Sequence, residues 1–135
     1  IIETKNESGD WFNVITGSRT AAESGEFHIF VFPVLSASTQ SATSAHNLVT
    51  TPNLVTCSLR CITTDLGYAA GDEVYWSWSG SHYGDDGLSV YANATNVGYI
   101  LGLGDSIEIP RLDGTTGTVD EITLGKWSVV IRAWR

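Results

Sequence analysis

A chain of 135 residues is one domain's worth, long enough to bury a core without disulfide or metal staples. Its net charge of −8 argues against nucleic acid or an anionic membrane as partner, since both call for basic patches, and no apolar run approaches the ~20 residues of a membrane span. Charged residues make up only 16%, whereas Gly, Ser, Thr and aromatic residues are plentiful, the composition of an all-β protein with many short strands and turns.

Residues 1–26 hold an Ile pair and then Trp11 to Thr16, which reads as one strand; a small polar stretch from Gly17 to Gly25 follows. This part is an edge strand or an N-terminal arm linked to an upstream region. It does not read as a signal peptide, and the start at Ile1 rather than Met is the expectation for a processed product or an excised piece. Phe27 to Leu35 is a strand whose Pro33 cannot donate to a central ladder, so an edge position or a bulge is expected. Phe27, Ile29, Val31 and Pro33 fall on one face, and His28, Phe30, Phe32 and Val34 on the other; two apolar faces suggest burial on both sides.

Ser36 to Ala45 is a solvated strand or a loop. Leu54 to Thr63 has the clearest alternation in the chain: Val55, Cys57, Leu59 and Cys61 point inward, Thr56, Ser58 and Arg60 outward. Four residues of strand span about 13 Å, beyond the roughly 7 Å Cα limit for a disulfide, so these cysteines cannot bridge each other and read as buried thiols of a protein made in a reducing cytoplasm. Gly67 and Gly71 suit tight turns, where Asp65 or Asp72 can accept backbone N–H bonds. Glu73 to Ser79 enters a further strand with Trp76 and Trp78 on one face, and Gly80 to Gly87 is a polar, Gly-rich loop. Strands follow over Leu88–Asn93, 96–103 and Ser106–Leu112, the last with Ile107 and Ile109 inward and a turn at Asp113-Gly114.

Trp127 to Arg135 closes the chain as a strand set off by Gly125 and Lys126. Trp127, Val129, Ile131 and Ala133 form a purely apolar face that belongs in a core and is expected to pack against the Val55/Cys57/Leu59/Cys61 face. Ser128, Val130, Arg132 and Trp134 form a mixed face that suits contact with a partner, unless both faces are covered within the monomer. No amphipathic helix is expected. Eight to ten short strands at this spacing predict a single antiparallel β-sandwich, jelly-roll-like in outline.

Four blocks then stand in a telling order: His46 with Leu48 and Pro52-Asn53-Leu54-Val55 running to Leu59-Arg60-Cys61; Thr64 to Tyr68 with Gly71 to Val74; Val90 to Val97; and Trp127 to Trp134. Together, over about residues 44–135, they resemble the C-terminal domain of bacteriophage tail-fibre and related virion proteins. The resemblance implies a homotrimeric β-sandwich tip that shows loops to a host surface, sits in the virion beside other tail proteins, and is assembled in the host cytoplasm. Val130, Arg132 and Trp134 are then expected at or near the subunit contact. No catalytic residues come with it.

Enzyme chemistry finds little support in the residues themselves. Gly80-Ser81-His82-Tyr83-Gly84 has its Ser one place early for a nucleophile elbow, and fifteen scattered acids single out no glycosidase pair. Asp85-Asp86 lack calcium-loop spacing and His46 reads as a local hydrogen-bonder, so neither a metal nor a cofactor is expected. The receptor-binding candidates are Trp76, Trp78, His82, Tyr83, Asp85 and Asp86: flat rings for the apolar side of a sugar, and side chains that bond hydroxyls, on a Gly-rich projecting loop. The competing reading of Trp76 and Trp78 is core, and the competing function is a purely structural tail or capsid decoration.

Overall fold

The computed structural model describes residues 3–5, 11–13, 27–75, 87–102, 104, 107–115 and 117–135. The protein is all-β, built from antiparallel pairs, with a single 3-10 turn (Leu124–Lys126) and no α-helix among the described residues. Strands β1 (Glu3–Lys5) and β2 (Trp11–Asn13) pair with each other. Strands β3 (Phe27–Val34), β5 (Leu54–Cys61), β6 (Glu73–Val74) and β11 (Trp127–Trp134) form a four-stranded sheet in the order β3-β11-β5-β6. Strands β4 (Ser41–Ala45), β7 (Leu88–Ala92) and β8 (Asn96–Leu101) form a second sheet in the order β4-β8-β7. Strands β9 (Glu108–Pro110) and β10 (Val119–Glu121) make a hairpin.

The C-terminal strand is central, with β3 and β5 on either side. Trp127, Val129, Ile131 and Ala133 are fully buried and lie directly opposite Cys61, Leu59, Cys57 and Val55. The two apolar rows expected to face one another are therefore neighbours in one sheet. Alternation reports which face of a strand is wet, not which element covers the dry one. What shares the core with this face is β8, through Val97, Tyr99 and Leu101, together with Ile107, Ile109 and Ile122. Phe32 meets the Tyr99 ring edge-on at 5.3 Å. Cys57 and Cys61 are both free; Cys61 is buried and Cys57 partly so. Burial pushes the Cys57 thiol up to about 11 and raises that of Cys61 as well.

Pro33 explains the shape of β3. The strand is the sheet edge, and its register against β11 slips between Ser128↔Val34 and Val130↔Val31, so Phe32 and Pro33 stand opposite Val129 alone. A missing N–H is tolerated at such a bulge, and the extra residue reverses the parity beyond it. Val34 consequently joins Val31 on the outer face and is exposed, while Leu35 turns in, its N–H donating to the Trp127 carbonyl at 2.8 Å. The expectation that β3 is buried on both faces is corrected: Phe27, Ile29 and Val31 remain 41%, 46% and 48% exposed, because an edge strand has a neighbour on one side only.

Candidate functional site

The site is the outer face of the four-stranded sheet, where Arg132 and Trp134 emerge. The registers lay residues across it in rows. Trp134 stands between Phe27 and Leu54, Arg132 between Ile29 and Thr56, Val130 between Val31 and Ser58, and Ser128 between Val34 and Arg60. Phe27 and Trp134 rings meet at 5.0 Å, and Leu54 beside them is exposed. Val130 is already fully buried in the single chain, so of the three residues expected at a subunit contact only Arg132 and Trp134 offer surface.

Glu73 organises the polar half of this face. Its Oε1 accepts Arg60 Nε at 3.0 Å, Arg60 Nη2 at 2.6 Å and Arg132 Nη2 at 3.0 Å. Its Oε2 accepts Arg132 Nη2 at 2.9 Å, the Ser58 hydroxyl at 3.1 Å and the Tyr75 hydroxyl at 2.8 Å. Burial alone raises the Glu73 pKa; hydrogen bonds from Arg60, Tyr75, Arg132 and Ser58 outweigh it and hold the carboxyl down at about 2. A carboxylate so fully engaged is a fixed charge rather than a proton acceptor. Its work is to hold two guanidiniums flat on the sheet, with Arg132 also lying over the Tyr75 ring at 5.9 Å.

This cluster joins β5, β6 and β11, and sequence reading missed its centre. Outward parity marks Ser58, Arg60 and Arg132, yet nothing local reveals that β6 adds to β5 and brings Glu73 beside Arg60. Tyr75 leads straight into the candidate receptor loop. Trp76, Trp78, His82, Tyr83, Asp85 and Asp86 themselves lie outside the described residues.

A second feature lies where β4 ends. His46 is buried, with Nδ1 accepting the Leu48 N–H at 3.0 Å and Nε2 donating to the Asn93 carbonyl at 2.9 Å, which fixes the tautomer. One bond is local, as expected, while the other ties the end of β4 to a loop 47 residues further along the chain, and the residue follows a strand rather than entering one. Asn93 Oδ1 in turn accepts the N–H groups of Thr95 and Asn96 at 2.9 and 2.8 Å. The two loops frame an open groove of about 380 Å³ lined by Ala45, Asn47, Val49, Ala94 and Thr95.

No family model, no curated protein and no solved structure matches this chain. The likeness to phage tail-fibre domains rests on the four sequence blocks alone.

Proposed function

We propose that this chain is a non-enzymatic receptor-binding tip domain of a bacteriophage tail fibre: a jelly-roll-like β-sandwich, homotrimeric in the virion, that contacts a host cell-surface glycan or protein through Trp76, Trp78, His82, Tyr83, Asp85 and Asp86. The observation that carries this reading is the outer sheet face. Exposed Phe27, Ile29, Val31 and Leu54 adjoin a fixed Arg60–Glu73–Arg132 lattice, and the Tyr75 hydroxyl ties the root of the loop to that lattice. A monomer in water has no use for such a face, whereas an assembled fibre tip covers the apolar part and presents the loop. Replacing Tyr83 and Asp85 by Ala is expected to abolish adsorption of the soluble protein to host cells and leave its fold and assembly intact. Unchanged adsorption moves the contact elsewhere, first to the loops at Asn93–Asn96 or Asp113–Gly117.

The same apolar face favours a second reading, a structural virion part whose self-contact only locks the assembly. A soluble protein that assembles but neither adsorbs to host cells nor blocks infection selects it.

A further inference from the structure

The acids of this protein are segregated. None of the fifteen lies between Phe27 and Thr64, nor between Gly87 and Gly104, so β3, β4, β5, β7 and β8 carry no carboxylate side chain. The described acids sit instead on β1 (Glu3), on β6, on the turn 65–72 and on the β9–β10 hairpin, which docks against that turn through the Leu112 N–H to Leu66 carbonyl bond at 2.9 Å. In the four-stranded sheet β6 is the far edge from β3. Among the described residues, β3 and β4 thus carry no carboxylate in a protein of net charge −8.

Among the described residues the β3–β4 side is also open. β3 ends one sheet and β4 ends the other, and an open groove of about 430 Å³ runs between them, walled by Ile29, Val31, Pro33, Thr43 and Ser44 among others. The eight-residue apolar edge has no Lys, Arg, Asp or Glu, and its protection from pairing is confined to Pro33 and the bulge at its C-terminal end, which leaves Phe27–Val31 as a regular strand edge. We infer that the β3–β4 groove receives a second copy of this chain. Two molecules of charge −8 repel wherever their acidic sides meet, and among the described residues this is where they can touch without bringing carboxylates together. The inference rests on the self-association proposed above and places its centre on the β3 edge rather than on the Arg132 face.

Sedimentation velocity of the whole chain tests it. Val31→Glu and Thr43→Glu each add one charge to a wall of the groove, at positions exposed enough to keep the fold; Val119→Glu adds the same charge at an exposed site on β10. The expected result is an associating wild type, strengthened by salt, with affinity reduced at least about tenfold by either groove variant and hardly changed by Val119→Glu. Circular dichroism confirms that each variant is folded. If all variants associate like the wild type, the groove is not the contact and the assembly proposal survives without it. A wild type that stays monomeric at about 100 µM overturns both. Slow hydrogen exchange along β3 in such a monomer would assign the groove's cover to the chain itself.

Discussion

Single residues fix the ends of the strands, and Trp127 is the clearest case. Its ring is fully buried edge-on to Tyr68, and its indole N–H donates to Asp65 Oδ2 at 2.8 Å. The same carboxylate accepts the Thr123 N–H at 2.8 Å. Burial raises the Asp65 pKa, but these bonds and nearby Lys126 bring it below the ordinary carboxylate value. Trp127→Ala empties the indole site and strips Asp65 of a donor, so a loss of about 3–5 kcal/mol in urea-denaturation stability is expected. A loss below about 1 kcal/mol would mean that the core closes without it. Gly67 answers a different need: its φ is +89°, and a Cβ there would stand 2.4 Å from the Asp113 nitrogen of the docked hairpin turn.

At the scale of elements, the chain is stitched by pairs far apart in sequence. β11 lies between β3 and β5, and β6 adds to β5 so that Glu73 is shared by Arg60 and Arg132. Glu73 titrates at about 2 when folded against an ordinary 4.5. A depressed folded value makes the cluster's contribution complete above about pH 4.5 and removes it as the pH falls towards 2. Wild-type stability is therefore expected to drop across that window. Glu73→Gln should be less stable at pH 7 and show a shallower fall, with Asp65, which is shifted the same way, contributing to the remainder. Denaturation series at pH 7, 4.5, 3 and 2 would show it, and parallel pH curves for the two proteins would refute the assignment.

At the scale of the molecule, residues of both larger sheets enter one core, so neither is expected to melt alone. Tryptophan fluorescence and far-ultraviolet circular dichroism should give coincident urea transitions; separated midpoints would divide the core. Much of this was legible in the sequence. Alternation picked out β5 and β11 and the inward sides of their residues, Pro33 announced an edge or a bulge and β3 has both, and Gly67 and Gly71 marked turns that do take positive φ. These properties are local: a period of two, a missing N–H or an absent Cβ acts within a few residues of chain. Tertiary structure alone decided that β5 and β11 are neighbours rather than opposing walls, that Val130 is covered while Ile29 and Val31 are not, and that Glu73 meets two arginines. Each of these depends on which strand lies beside which, and that choice is settled by the whole core closing at once, beyond the reach of any one segment's pattern.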